Sequence, residues 1–361
     1  MPDDELYMQR CVELARLGLG KTTPNPMVGA VVVQGGRITG EGYHRRYGGH
    51  HAEVEAIESV RDKESLTESS LYVSLEPCCH HGKTPPCTDL ILRSKIPRVI
   101  VGTADPFDEV AGKGIARLRA NGCEVTVGVL KEECRKLNKR FFTFHEKKRP
   151  YIILKWAMTA DAFIDIKRED GAEAVPTWIT SEKLRMLVHK WRTEEAAIIV
   201  GTNTVVKDNP RLNVRNWNGP SPLRIFLDRK LAIPAGVNLL DNSLPTVVVN
   251  EITEKTTGRT TYWKIPFDGL LLHNLAARLY ENNIQSLIVE GGQMLLQSFI
   301  DQGLWDEARV FAGRQFFGQG VRAPGFSAGN KGRQVIIGNE CFYYFRNSSG
   351  AWSGKKTHTK L

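Results

Sequence analysis

Leu75-Glu76-Pro77-Cys78-Cys79-His80-His81-Gly82-Lys83-Thr84-Pro85-Pro86-Cys87 closes an apolar strand, crosses a polar loop and opens a helix behind two prolines. One thiol leaves the strand at Cys78 and a second enters the helix at Cys87. Upstream, His51-Ala52-Glu53 starts another helix that runs to about Arg61. One imidazole and two thiolates make a three-ligand zinc set, and three protein ligands rather than four leave a coordination place for water, as catalytic zinc sites do. Bound zinc lowers the pKa of water from about 15.7 to about 7. Glu53, two residues from His51, is placed to take that proton and pass it on. The readings in which the zinc only staples a loop, or the cysteines only pack, give Glu53 nothing to do. Cys79, His80 and His81 are rival ligands in the same loop, with Cys79 poorly able to share an ion with its neighbour and His80 better suited to touch a substrate.

Around this stretch, helix and strand signals alternate. Apolar side chains recur at helical spacing over 5–19, and Met27 to Val33 is a β-branched run ended by the turn Gln34-Gly35-Gly36-Arg37. A strand spans Leu71 to Leu75, a helix follows Pro86, and a strand covers Arg98 to Val101. A helix near Gly114 to Ala120 precedes a strand Glu124 to Val129, and a helix from about Lys131 runs into Phe141-Phe142-Thr143-Phe144. The charged stretch His145 to Pro150 marks a domain boundary, after which the alternation restarts with a strand Tyr151 to Trp156. A helix Ser181 to Arg192 follows, then strands Ala197 to Val200, Leu223 to Leu227 and Thr246 to Val249, a helix Leu270 to Tyr280 and a strand Ser286 to Glu290. Such alternation predicts α/β domains, sheets covered by helices. The expected division is 1–145, 150–347 and a flexible tail over 348–361.

The chain has 361 residues, enough for two ordinary cores. With 25% charged residues and no run of about 18 apolar ones, it reads as a globular protein without a membrane span. Its acidic opening lacks a signal peptide's basic and apolar regions, so a cytoplasmic address is expected. Seven cysteines, three crowded between 78 and 87, favour metal chemistry over a disulfide framework. A net charge of +9 suits anionic partners, whether phosphorylated metabolites, cofactor phosphates or nucleic acid.

His-x-Glu followed by Pro-Cys is the pattern of zinc deaminases as a class, although their common version separates its cysteines by two residues and this chain by eight. The longer motifs resemble one family, the bifunctional riboflavin-biosynthesis deaminase/reductase. They comprise Pro24-Asn25-Pro26-Met27-Val28-Gly29, Gly42-Tyr43-His44, His51-Ala52-Glu53, the whole of Leu75 to Cys87, Asp105-Pro106 and Val110 to Ile115. The resemblance implies a cytidine-deaminase-like three-layer fold and a phosphorylated diaminopyrimidinone substrate. It also implies that Asn25 and His44 line the base pocket, that His80 and Lys83 contact the substrate and that Asp105 closes the site. Asn25 also reads as a turn residue between prolines. Phe107 stands where the family often has Asn.

The second half is similar to the family's reductase, which implies a dihydrofolate-reductase-like α/β domain using NADPH. The matching stretches are Leu154 to Met158, Trp178 to Ser181, Val200 to Val205, Asp208-Asn209-Pro210 with Leu212, and Val289 to Gly292. By position, Met158, Trp178, Thr204, Asp208 and the loop Gly291-Gly292-Gln293 would meet NADPH. Arg229 would meet the cofactor's extra phosphate, or else be a solvated surface residue. Lys155, Arg192, Leu212, Arg215 and Glu290 would hold the ribose phosphate substrate, with a simple ion pair the alternative for Lys155. A Gly-Gly between strand and helix can hold a pyrophosphate or be an ordinary turn. No Gly-x-Gly-x-x-Gly stands at a strand-to-helix turn, which argues against a Rossmann domain. Asp161-Ala162-Phe163 replaces the family's frequent Asp-Gly-Lys, and Pro176 replaces a side-chain donor. The implied activities are deamination followed by NADPH-dependent reduction in a homo-oligomer that binds neither nucleic acid nor membrane. One rival is a deaminase with a silent second domain, and another is a nucleic-acid editing or binding protein, favoured by the +9 charge and deaminase chemistry.

Overall fold

In the computed structural model, residues 2–80, 85–107, 110–167, 177–326, 332–337 and 340–347 are described. His81, Lys83, Pro176 and the stretch 348–361 lie outside them. The chain divides into two compact units, Met1–Arg149 and Pro150–Leu361.

In the first unit, α1 (Pro2–Arg16) precedes the hairpin β1 (Gly29–Gln34) and β2 (Arg37–Tyr43). Gly35 and Gly36, both at positive φ, supply the left-handed turn that residues with a Cβ resist. α2 (Ala52–Ser59) leads to β3 (Ser70–Val73), α3 (Cys87–Arg93) to β4 (Arg98–Val101), and α4 (Lys113–Ala120) to β5 (Glu124–Val127). The sheet order is β2-β1-β3-β4-β5, with β3, β4 and β5 parallel. Alternation along β1 decides the layers: Val31 and Val33 pack with Met8, Cys11 and Tyr72 on one face, while Ala30 and Val32 pack with Ala56, Ile91 and Leu118 on the other. Helices therefore cover both faces, the three-layer arrangement anticipated above.

The helix expected from Lys131 onward is two helices, α5 (Lys131–Leu137) and α6 (Lys139–Lys147). Asn138 interrupts them because its amide is committed elsewhere. Its Oδ1 accepts from the Met27 N–H and its Nδ2 donates to the Met27 carbonyl, both at 2.8 Å. That pair pins the Pro24–Met27 turn against the unit.

The second unit begins with β6 (Tyr151–Met158) and β7 (Phe163–Ile166), then α7 (Glu182–Glu194), whose first turn is capped by Ser181. β8 (Ala197–Val200), α8 (Thr202–Asp208), β9 (Leu223–Leu227), β10 (Thr246–Asn250), β11 (Lys255–Thr257) and β12 (Thr260–Lys264) follow. α9 (Leu271–Glu281), β13 (Ser286–Val289) and α10 (Gln293–Asp301) lead into β14 (Glu307–Ala312). The unit ends with β15 (Gly320–Arg322), β16 (Arg333–Ile337) and β17 (Glu340–Arg346). Among the described residues the main sheet runs β11-β12-β10-β9-β8-β13-β6-β14-β17-β16, and its central strands from β12 to β14 are parallel. Near-continuous apolar runs such as Ala197–Val200 and Ser286–Val289 suit strands buried on both faces.

Candidate functional site

Cys78 lies just beyond the carboxyl end of β3, Cys87 is the first residue of α3, and His51 is the N-cap of α2. The fold closes eight intervening residues so that His51 Nδ1 lies 3.2 Å from Cys87 Sγ and 3.6 Å from Cys78 Sγ. Tetrahedral zinc with ordinary bond lengths needs sulfur-to-nitrogen separations of about 3.5 Å. The three donors, all within 4.8 Å of one another, therefore fit the ion. Among the described residues they are the only such group of His, Cys, Asp or Glu, and they offer three candidate ligand atoms. The Cys87 hydrogen bond and the His51 imidazole hold the Cys78 thiol well below the usual thiol range, which favours the thiolate form that metals bind.

Glu53 is buried in the first turn of α2, and burial pushes its carboxyl up to about 7. His44 is also buried, with its ring 5.5 Å from that of His51. Its Nδ1 lies 2.9 Å from the His50 carbonyl and so carries the proton. Its Nε2, 3.2 Å from Asn25 Nδ2, accepts from the amide. Asn25 Oδ1 is thereby aimed by a fixed amide, and the turn between prolines also presents a polar group. Asp105 follows β4, accepts from the Phe107 N–H at 2.8 Å, and is raised to about 7 by burial and by the charges of Glu76 and Cys78. His80 is exposed in the loop.

In the second unit a cavity of about 780 Å³ opens at the carboxyl ends of β6, β8, β9 and β13, where parallel sheets bind ligands. Trp178, Thr204, Asp208, Gly291, Gly292, Gln293, Lys155 and Glu290 line it. Met158, Arg229, Arg192, Leu212 and Arg215 are not in its wall. The Met158 carbonyl is taken by the Gly313 N–H at 2.8 Å, and Arg229 pairs with Glu251 at 2.7 Å. A Cβ on Gly292 would come within 3.2 Å of Thr204 Oγ1, so the bare Gly-Gly backbone leaves a cradle beside α8 at the start of α10. Lys207, with Thr204 and Asp208 at i+3 and i+4 spacing on α8, also lines the cavity. The seven-residue length of α8 gave little periodicity by which to find it.

Beside the cavity, Arg192 forks onto Glu290 at 2.9 and 2.8 Å, and Lys155 Nζ adds a contact at 3.4 Å. Burial alone would raise Glu290, but Arg192 and Lys155 overcome it and hold the carboxyl down at about 2. Arg192 also donates to the Asn213 carbonyl at 3.0 Å, and Arg215 to Asn213 Oδ1 at 3.1 Å. Leu212, buried in a cluster with Val205 and Phe226, is held at φ 50, an uncommon conformation for a branched residue. His189, kept near pKa 4 by burial and by both arginines, accepts from the Arg215 N–H at 3.4 Å.

Residues 150–332 match the family model described as RibD C-terminal domain, and residues 1–103 match the cytidine and deoxycytidylate deaminase zinc-binding region. The riboflavin biosynthesis protein RibD of Aquifex aeolicus is 43% identical over 88% of this chain and 89% of its own length. The chain belongs to the RibD family. RibD of Actinobacillus pleuropneumoniae is 39% identical over 86% of this chain and 84% of that protein. A Thermotoga maritima structure, described as a diaminohydroxyphosphoribosylaminopyrimidine deaminase/5-amino-6-(5-phosphoribosylamino)uracil reductase, superposes with a TM-score of 0.85. It shares 39% identity and is covered over 96% of this chain and 99% of its own. Acinetobacter baumannii RibD gives a TM-score of 0.83 at 29% identity with the same coverage.

Two departures from the RibD pattern have visible structural accounts. Phe107 sits in an apolar cluster with Leu75, Phe141 and Phe142, its ring 5.1 Å from that of His145, so the position contributes packing in place of an amide. Ala162 has φ 65, the left-handed region in which glycine is unstrained. Replacing it with glycine removes a strain of about 1–2 kcal/mol and gives back part of that as unfolded-chain entropy. Ala162→Gly is expected to stabilise the second unit by about 0.5–1 kcal/mol net. Calorimetry would show the rise in Tm, and a fall would contradict this account.

Proposed function

We propose that the first unit hydrolyses an exocyclic amine from a diaminopyrimidinone bearing a ribosylamine phosphate, and that the second reduces the ribosyl side chain of the product to ribityl. These are consecutive steps of riboflavin biosynthesis. The observation that carries the reading is the three-donor cluster of His51, Cys78 and Cys87 with the buried Glu53 beside it. Zinc supplies an acidified water in the first unit and NADPH a hydride in the second. Glu53, with a carboxyl near neutrality, accepts a proton from water and returns protons to the ring nitrogen and the leaving amine. Water adds its oxygen to the ring carbon, the carbon–nitrogen bond breaks, and ammonia leaves.

Asn25 Oδ1, oriented by His44, pairs with the pyrimidine edge. His80 and Lys83 contact the substrate, with Lys83 lending a point charge for phosphate, and Asp105 closes the pocket. In the second unit Gly291, Gly292 and Gln293 present bare N–H groups at the start of α10 to the pyrophosphate. Trp178, Thr204 and Asp208 flank the cofactor, and Met158 offers the second lone pair of a carbonyl already bonded to the Gly313 N–H. Arg229 takes the extra phosphate by exchanging Glu251 for it. Lys155, Arg192, Leu212, Arg215 and Glu290 hold the ribose phosphate. In this reading the substrate is a small molecule, nucleic acid is not a partner, and the enzyme works in the cytoplasm as a homo-oligomer.

The test follows ammonia release and NADPH absorbance separately. Zinc-loaded protein releases ammonia from the diaminopyrimidinone without NADPH, and chelation stops that release. Chelated protein still oxidises NADPH when given the deaminated product. A flat absorbance trace with that product makes the second unit a silent module, and ammonia release that survives full zinc removal defeats the deaminase reading.

A further inference from the structure

Glu76 belongs to the stretch that carries the zinc ligands, yet the chemistry above gives it no part. The residue is only 4% exposed, and its carboxylate accepts from four backbone N–H groups. Oε1 receives Gly114 at 2.9 Å and Ile115 at 3.2 Å, and Oε2 receives Gly112 at 2.9 Å and Asp105 at 3.2 Å. Three of these donors surround the start of α4, where N–H groups have no intrahelical partner and the helix dipole favours a negative charge. The fourth belongs to the turn that presents the Asp105 side chain. The Glu76 N–H in turn donates to the Thr103 carbonyl at 3.0 Å, tying β3's exit to β4's.

The next peptide is equally constrained. A Cβ on Gly114 would lie 2.1 Å from the Pro77 carbonyl oxygen, so the first turn of α4 rests directly on the peptide that delivers Cys78. Cys78 then accepts from α3, its carbonyl from the Thr88 N–H at 3.2 Å and its Sγ from the Cys87 N–H at 3.3 Å. We infer that Glu76 is a positioning residue whose carboxylate locks the start of α4 and the Asp105 turn onto Pro77-Cys78, fixing a metal ligand and the substrate-side carboxylate as one piece. The inference rests on the zinc-deaminase reading of the first unit. Carboxylate is the chemistry the position requires, because four convergent donors need an acceptor at both oxygens. An amide would turn its own NH₂ group toward two of them.

The experiment compares zinc release to a chromogenic chelator, a readout that requires no substrate, in full-length Glu76→Gln, Gly114→Ala and Leu118→Ala. Leu118 is buried in the same helix one turn beyond the Glu76 donors and gives Glu76 no hydrogen bond, so it controls for loss of core packing. Glu76→Gln and Gly114→Ala are expected to weaken zinc affinity about 10–100-fold, as loss of a group orienting a metal ligand does. Ammonia release should fall with it while NADPH oxidation is unchanged. Leu118→Ala should hold zinc as the wild type does, despite a lower Tm. Zinc affinity within twofold of wild type in a folded Glu76→Gln protein overturns the inference, as does equal zinc loss from Leu118→Ala. Should Glu76→Gln fail to fold, Gly114→Ala carries the same comparison. A wild-type protein that binds zinc and releases no ammonia would refute the deaminase reading, and the zinc measurements would still decide the role of Glu76.

Discussion

Glu53→Gln should leave zinc bound and lower kcat for ammonia release by a factor of about 10²–10⁴, the usual contribution of a positioned proton carrier. The amide occupies the same space but can neither take a proton from water nor return one to a leaving group. Because burial raises the native carboxyl to about 7, the interior already disfavours its charge, and the neutral amide should not lower Tm. Metal analysis, thermal melting and steady-state kinetics on one preparation separate the possibilities. Retention of activity within tenfold with zinc in place would remove Glu53 from the proton path. Loss of zinc along with activity would make it a structural support of the ligand set. NADPH oxidation with deaminated product serves as the internal control.

Glu290→Gln should abolish reduction and destabilise the second unit by about 3–5 kcal/mol at neutral pH, the cost of leaving buried cations without their counter-charge. Arg192 and Lys155 both lean on this carboxylate, whose side chain is 6% exposed. The same pairing predicts a pH dependence. The folded carboxyl sits near 2 against an ordinary value of 4.5, so the stabilisation is fully present above about 4.5 and is lost as pH falls toward 2. The difference corresponds to about 3 kcal/mol. Wild type and Glu290→Gln should therefore converge in stability on acidification. All seven tryptophans lie at Trp156 or beyond, so their fluorescence in denaturant reports on the second unit. A gap between the two proteins that stays constant from pH 7 to pH 2.5 would show that the carboxylate is not the group responsible.

The readable parts of the chain share one property, that their signal is short in sequence. Val31 and Val33 alternate with Ala30 and Val32, so both faces of β1 can be inferred locally, and the strand Ala197–Val200 is apolar at every position. β14 was not found from sequence because Glu307 and Arg309 interrupt its apolar pattern. Both are buried, and their charges meet each other at 2.5 Å, while Glu307 also accepts from Tyr151 at 2.8 Å and from Tyr344 at 2.5 Å. Those phenols come from strands 156 and 37 residues away. The break at Asn138 was hidden in the same way, since its partner Met27 is 111 residues distant.

From residues alone came the α/β alternation, the division near 145–150, the candidate zinc donors His51, Cys78 and Cys87, and the neighbouring carboxylate Glu53, because strand period, helix period and ligand spacing are each set within a few residues. Tertiary structure alone decided that Glu290 gathers Arg192 and Lys155 from 98 and 135 residues away. It also turned Arg229 to Glu251 and placed Glu76 beneath four N–H donors. Each of these depends on which strands become neighbours, and strand order is chosen by the packing of whole faces, which no local stretch of sequence contains.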